Sequence, residues 1–119
     1  MNYTIYEVNE YSIGISSNKN IIIILVKNNI NNDKYNIRLD KLADCYANTN
    51  CENNISFGLI SDIYEFIINC LDKKPFYNIK YELQKSTEQY DDEKDELSLI
   101  FSFKYENFNF EYTIHLYSE

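Results

Sequence analysis

Tryptophan is absent from this 119-residue sequence, and glycine, proline, histidine and arginine are scarce. The two glycines, Gly14 and Gly58, are isolated, so there is no glycine-rich loop of the Walker or dinucleotide-binding kind. His115 is the one histidine, which leaves a single imidazole for general acid–base catalysis. Because these shortages fit few catalytic arrangements, we expect the protein not to be an enzyme.

Long hydrophobic runs are missing as well. The longest, Ile21–Val26, has six residues, whereas a helix needs about 20 apolar residues to span a bilayer. The N-terminus has neither the basic start nor the apolar block of a signal peptide. We therefore expect a soluble cytoplasmic protein, in which the three cysteines, an odd number, remain free thiols.

The residues that are abundant are typical of a folded, acidic domain. Apolar residues make up 45% of the chain, with 12 tyrosines and 7 phenylalanines, which is enough for a core within a single domain over residues 1–119. The net charge of −8 repels phosphate backbones and anionic lipids, so nucleic acids and membranes are unexpected partners. The richness in Asn, Ile, Tyr and Lys is typical of AT-rich genomes, such as those of protists or large DNA viruses. For a viral protein, the cytoplasm would be that of the host.

Alternation of apolar and polar residues predicts four antiparallel strands in the first forty residues. A two-residue turn at Asn9–Glu10 closes the first hairpin, since asparagine tolerates a positive φ. A second turn, at Asn18–Lys19, is predicted to pair Ile15 with Ile22. The fourth strand follows a polar loop and places three apolar residues on one face: Tyr35, Ile37 and Leu39.

A helical insert is predicted after these strands. A short helix begins at Asp40 as N-cap and extends to about Ala47, and a loop covers residues 48–54. A second helix begins after a cap at Ser56. It carries an apolar stripe at helical spacing: Leu59, Ile60, Ile63, Phe66, Ile67, Cys70 and Leu71.

Three further strands complete the prediction. One covers Tyr77–Gln84, and the other two form a hairpin that turns at Glu106–Asn107. This hairpin places only apolar pairs on its inner face: Phe103 with Phe110, Phe101 with Tyr112, Leu99 with Ile114 and Leu97 with Leu116. The predicted fold is therefore α+β, an antiparallel β-sandwich or open barrel of about seven strands, with four strands, a two-helix insert and then three strands.

This element order is similar to that of one superfamily of scaffold head domains, which includes the centriolar cartwheel protein, a related basal-body protein and the scaffold of DNA end joining. The likeness is strongest in the strand Leu97–Tyr105, the return strand Phe108–Leu116 and the helix Leu59–Leu71. The resemblance implies dimerisation through the heads and a scaffolding role. Because such heads precede a long coiled coil, it also implies that residues 1–119 are the N-terminal domain of a larger protein. No contact residue can be transferred, since no motif aligns residue by residue.

Two groups of residues could in principle form a metal site or a catalytic triad, but neither has the arrangement that such a site needs. Cys45, Cys51, Cys70 and His115 could nominally bind zinc, but Cys45 and Cys51 are six residues apart and Cys70 lies on the apolar stripe of a helix. We therefore expect no metal and no cofactor.

Ser98 and His115 face each other on the outer side of the last hairpin, with Glu111 nearby. This arrangement could nominally form a catalytic triad. However, Ser98 lies within a strand, without a nucleophile elbow or an oxyanion hole. A hydrogen-bonded surface histidine is the expectation.

An acidic loop precedes the last hairpin. Its carboxylates lack the glycine and the alternating spacing of a calcium loop, so a solvated loop is the favoured interpretation and a docking loop for a basic partner is the alternative. The candidate docking residues are Asp91, Asp92, Glu93, Asp95 and Glu96.

The strand Ile21–Val26 is the best candidate for an interaction surface. Ile22, Ile24 and Val26 are predicted to face the core, so Ile21, Ile23 and Leu25 face the other side, and this strand has to be covered twice. The helix pair of the chain is the favoured cover, because helices on a sheet are the usual layering. A homodimer or a protein partner is the alternative.

The sequence thus favours a non-enzymatic domain that interacts with a second copy or with another protein. The alternative is a small-ligand binder or an enzyme that uses a cleft lined by tyrosines.

Overall fold

The computed structural model describes residues 2–18, 20–41, 49–51, 59–72, 80–85, 96–105 and 108–119. Eight strands and one helix occur in these ranges. The strands are β1 (Thr4–Val8), β2 (Tyr11–Asn18), β3 (Ile21–Asn28), β4 (Lys34–Leu39), β5 (Thr49–Cys51), β6 (Lys80–Lys85), β7 (Glu96–Tyr105) and β8 (Phe108–Ser118). The helix, α1, comprises Ile60–Leu71 and lies between β5 and β6 in the chain.

The described strands form one antiparallel sheet, in the order β1-β2-β3-β4-β8-β7-β6, which curls into a half-barrel. The short β5 also pairs with β8, but it is not part of this strand order. The fold is thus α+β and rich in strands, as predicted. Since these strands belong to one continuous sheet, the open-barrel alternative describes the fold better than a sandwich of two sheets.

The N-terminal strands confirm one predicted register and correct another. Val8 pairs with Tyr11 around a turn in which Asn9 has a φ of 55°, as expected. In the next hairpin Ile15 pairs with Ile24 rather than with Ile22. The turn lies one residue later than predicted, because the Asn18 side chain accepts a hydrogen bond from the backbone N–H of Asn20 (3.0 Å). A shift of two positions in the partner leaves each side chain on its predicted face.

The final hairpin has the predicted register throughout. Leu97 pairs with Leu116 and Ser98 with His115, and the ladder continues to the turn after Tyr105. Leu97 and Leu116 are fully buried, which confirms the predicted inner face.

The insert differs from its prediction. Residues 49–51 form β5 instead of a loop, and they pair with the middle of β8, beyond the short stretch where β4 pairs with it. Asp40 and Lys41, at the start of the first predicted helix, are described and are not helical, whereas the rest of that helix and the Ser56 cap lie outside the described residues, as does the start of the strand predicted from Tyr77. The second predicted helix is present, but it begins at Ile60, and Leu59 is 63% exposed instead of packed.

The core fills the concave side of the sheet. α1 places Ile63, Ile67, Cys70 and Leu71 against the inner-facing residues of the strands. Phe66 joins α1 to the C-terminal strands, because its ring meets the edges of Phe101 (centroids 5.9 Å apart) and Tyr112 (5.8 Å). Edge-to-face pairs of this kind each add about 0.5–1.5 kcal/mol beyond the burial of their surface.

Candidate functional site

The convex side of the sheet carries the apolar residues that the sequence singles out. We use the term outer apolar patch for Tyr3, Ile5, Ile21, Ile23 and Leu25. Ile5 is 59% exposed, Tyr3 39% and Leu25 37%, and Ile21 and Ile23 are half-buried. The strand pairing places these residues on the two sides of β2, with Tyr3 and Ile5 on the β1 side and the other three on β3.

Gly14 lies in the centre of the outer apolar patch. It pairs with Ile5 on one side and with Leu25 on the other. A Cβ atom at Gly14 would lie only 3.2 Å from Ile5 Cδ1 and 3.6 Å from Tyr3 Cδ1. The missing side chain therefore lets Ile5 and Tyr3 lie over the sheet surface and fill the space between β1 and β3.

The helix does not cover the patch. α1 packs on the concave side, where its buried residues join Ile22 and Ile24 of β3, whereas Ile23 and Leu25 point to the opposite side. The expectation that the helix pair of the chain covers this face is therefore wrong for α1. The concave side is the only one on which β2 and β3 both present large apolar side chains. The convex side of β2 presents Ser12, Gly14 and Ser16 instead.

The Ser98–His115 pair exists, but its geometry differs from that of a catalytic triad. Ser98 Oγ lies 3.3 Å from His115 Nδ1, and Glu96 Oε1 lies 2.5 Å from the same nitrogen. A triad needs serine and carboxylate on opposite ring nitrogens. Glu111 accepts a hydrogen bond from Thr113 (3.5 Å), so Glu96 takes the place predicted for Glu111. The register could have shown this, since Glu96 pairs with Tyr117, beside His115.

The predicted zinc ligands are described only in part. Cys70 is buried on α1, and burial raises the pKa of its thiol to about 12. Cys51 belongs to β5, and Cys45 lies outside the described residues. Within the described ranges, no group of three or more His, Cys, Asp or Glu side chains is placed to bind a metal.

The candidate acidic docking loop is described only at its end. Asp91, Asp92, Glu93 and Asp95 lie outside the described residues, and Glu96 is the first residue of β7. Its contact with His115 assigns Glu96 to the sheet surface rather than to the loop.

A hydrogen bond fastens the edge strand β1 to α1. The Tyr6 hydroxyl donates to Asp72 Oδ1 (2.8 Å) at the C-terminus of the helix. Burial and this hydrogen bond to the Asp72 carboxylate raise the pKa of Tyr6 to about 12. Nearby Tyr64 and Tyr81 add to this effect, so several tyrosines gather where the half-barrel is open.

This contact predicts a loss of stability in strong alkali. An unfolded tyrosine loses its proton near pH 10, and folded Tyr6 near pH 12. The contribution is therefore complete below pH 10 and disappears as the pH rises to 12. The difference corresponds to at most about 2.7 kcal/mol, and to less for a side chain that is only half-buried. Urea unfolding at pH 9 to 11.5 should show a shallower loss for Tyr6→Phe than for the wild type. Equal slopes would contradict the role of Tyr6.

One cavity in the described region lies between the β3–β4 loop and the C-terminus. It has a volume of about 270 Å³ and a mostly polar lining: Asn32, Asp33, Lys34, Tyr35, Ser118 and Glu119. The Asn28 side chain shapes the loop by accepting hydrogen bonds from the backbone N–H groups of Ile30 (2.9 Å) and Asn31 (3.4 Å). This is a shallow, polar groove rather than an apolar ligand pocket.

Comparison with known proteins finds no family model that matches the chain and no curated protein with significant sequence similarity. In the part of the chain that the structure describes, no helix is long and apolar enough to cross a membrane.

Proposed function

We propose that this chain is a non-enzymatic domain that associates with itself through the outer apolar patch. The observation that carries the proposal is that Ile5, Tyr3 and Leu25 lie exposed on the two sides of Gly14, on a sheet face which α1 leaves open. Contiguous apolar surface of this kind usually marks a contact with another molecule. The likeness of the element order to scaffold head domains, for which dimerisation through the heads is implied, is in keeping with this proposal.

The charges around the patch favour contact more than the net charge suggests. The chain as a whole carries −8. The convex face of β1–β4 nevertheless presents three cations, Lys27, Lys34 and Arg38, beside three carboxylates. These are Glu7, Asp40, which forms an ion pair with Arg38 at 3.4 Å, and Glu119, which accepts a hydrogen bond from the Asn36 side chain (3.4 Å). The acidic surplus therefore lies elsewhere in the chain, and two copies can approach through this face with little repulsion.

The proposal retains three predictions made from the sequence. They are a first helix over residues 40–47, an N-terminal position in a larger protein and a cytoplasmic location. The acidic loop remains the candidate for a basic partner. A small-ligand binder or an enzyme ranks second, because the described cavity is shallow and polar and because Ser98 and Glu96 meet one and the same nitrogen of His115.

The test is the solution mass of the chain over a concentration series, by sedimentation or light scattering. We expect a dimer that dissociates in the micromolar range. Leu25→Lys should weaken it at least tenfold, because the change occurs twice in a symmetric dimer and about 1.4 kcal/mol suffices for tenfold. Ile21→Lys with Ile23→Lys should do the same.

Ile30→Lys is the matched control for the dimerisation test. Ile30 is 76% exposed but lies in the β3–β4 loop, away from the patch. The dimer should survive this change. A monomer at every concentration, or equal effects of Leu25→Lys and Ile30→Lys, would contradict the proposal.

A further inference from the structure

The convex face of β1, β2 and β3 has large or charged side chains on its two outer strands and small ones between them. On this side β2 presents Ser12, Gly14 and Ser16. The strand registers align the flanking residues in rows across the three strands, Ile5–Gly14–Leu25 and Glu7–Ser12–Lys27. Each residue of β1 therefore has a counterpart on β3, at the same height on the other side of β2.

The row of Glu7 and Lys27 carries one charge of each sign, and neither is neutralised by the other. The Glu7 carboxylate accepts hydrogen bonds from two neutral donors, Ser12 Oγ (2.8 and 3.0 Å) and the Asn29 side-chain amide (3.5 Å). Asn29 also donates to Ser12 Oγ (2.9 Å), which fixes the group. Lys27 is exposed and, among the described residues, forms no ion pair with a carboxylate. A positioned anion and an available cation thus flank β2.

We propose that two copies of this chain pack convex face against convex face, about a two-fold axis that runs along β2. This inference rests on the proposed function and specifies its interface. β1 of each copy then lies over β3 of the other, so the whole outer apolar patch is covered. Symmetry makes each contact between the copies twice. The contacts are Ile5 with Leu25, Tyr3 with Ile23 and Glu7 with Lys27.

The charges of the convex face select this axis among the two-fold axes that lie in the plane of the face. An axis along β3 would place Lys27 on Lys27 of the second copy. An axis across the strands, through the row of Gly14, would place Lys34 against Arg38 of the second copy. An axis along β1 would leave Leu25 outside the contact. The axis along β2 instead brings opposite charges together, and such complementarity gives an interface its register.

The curvature of the sheet agrees with a contact three strands wide. Two convex faces touch over a narrow strip, so Lys34 and Arg38 on β4 stay outside it and remain hydrated. Sheets that pack face to face cross at about 30°. Glu7 and Lys27 lie two positions, about 7 Å, from the row of Gly14. The crossing angle displaces them by about 3.5 Å, which the long lysine side chain can span.

The first test compares Lys27→Glu with Lys34→Glu. Both residues are exposed, they pair with each other on neighbouring strands, and both substitutions change the charge equally. Only Lys27 meets Glu7 of the second copy. By sedimentation, Lys27→Glu should weaken the dimer at least tenfold, because two carboxylates then meet at both ends of the interface. Lys34→Glu should dimerise like the wild type, and far-UV circular dichroism checks that both variants fold.

Mixing two variants tests whether the ion pair joins the two copies. Glu7→Lys alone should dimerise at least tenfold more weakly than the wild type. Mixed with Lys27→Glu, it should form a dimer about as strong as that of the wild type, because the introduced residues meet each other and native Lys27 meets native Glu7. Mixed with Lys34→Glu, which carries the same charge, it should not. If both mixtures behaved alike, the arrangement would be overturned.

Nuclear magnetic resonance of the wild type supplies a measurement that needs no variant. In a mixture of ¹³C-labelled and unlabelled protein, isotope-filtered spectra detect only contacts between copies. They should connect the methyl groups of Ile5 with those of Leu25. A dimer in which this contact is missing would overturn the arrangement.

The remaining outcomes separate the two proposals. A dimer that Leu25→Lys breaks, but that Lys27→Glu and Lys34→Glu affect equally, would keep the proposed function and overturn the axis along β2. A monomer at every concentration would overturn both proposals.

Discussion

Phe101→Ala is expected to lower the free energy of unfolding by about 3–5 kcal/mol, out of roughly 5–15 for a domain of this size. Phe101 is fully buried on β7, and its ring meets Phe66 of α1 and Tyr81 of β6, with the Tyr81 centroid 6.4 Å away. Truncation would leave a cavity where the helix joins the sheet. Urea unfolding followed by circular dichroism measures the loss.

Phe101→Leu is the control, because leucine fills part of the same space. We expect it to cost about 1–2 kcal/mol. Both variants lose the aromatic ring, so the difference between their free energies of unfolding measures the cost of the cavity. A loss below about 1 kcal/mol for Phe101→Ala would show that α1 is not packed on the concave face in solution.

The parts of the fold that the sequence predicts well are those fixed by period-two alternation. In the final hairpin, apolar residues alternate over both strands around a two-residue turn, and a slip by one position would expose the whole inner set. The register from Leu97 to Leu116 follows from this constraint. The faces of β3 were predicted on the same grounds, and Ile22, Ile24 and Val26 are buried as expected.

Other features left no such signal. The register of β2 and β3 depends on one hydrogen bond of the Asn18 side chain, which alternation does not reveal. β5 has three residues, too few to show a period. It forms because β4 pairs with only the last residues of β8, and the middle of β8 is left for another strand. To predict the contact between Glu96 and His115, the register would have to be extended by one pair, to Glu96 and Tyr117.

The side of the sheet that the helix covers was also predicted incorrectly. Alternation shows that β3 is apolar on both faces, but one strand does not indicate which face becomes concave. The neighbouring strand decides this point: β2 presents Ile13 and Ile15 on one side and Gly14 and Ser16 on the other. Only the first side gives α1 a continuous apolar surface to pack against. The candidate interface at Ile21, Ile23 and Leu25 therefore stands opposite the helix rather than beneath it.

The same substitution at two adjacent residues of β3 should have opposite consequences. Ile24 is fully buried beneath α1, whereas Leu25 is 37% exposed on the outer apolar patch. Ile24→Asp would bury an unpaired carboxylate, and we expect it to cost more than about 4 kcal/mol and to abolish folding. Leu25→Asp adds a hydrated charge to a surface, so the monomer should keep its stability to within about 1 kcal/mol.

Circular dichroism and thermal unfolding, measured below the dissociation constant of the dimer, compare the two variants as monomers. If the monomer of Leu25→Asp stays folded as expected, its loss of dimer at higher concentration reports the interface alone. If Leu25→Asp unfolded as completely as Ile24→Asp, another part of the same chain would have to cover the convex face. The patch would then belong to the core of the monomer, and the self-association proposed for it would lose its basis.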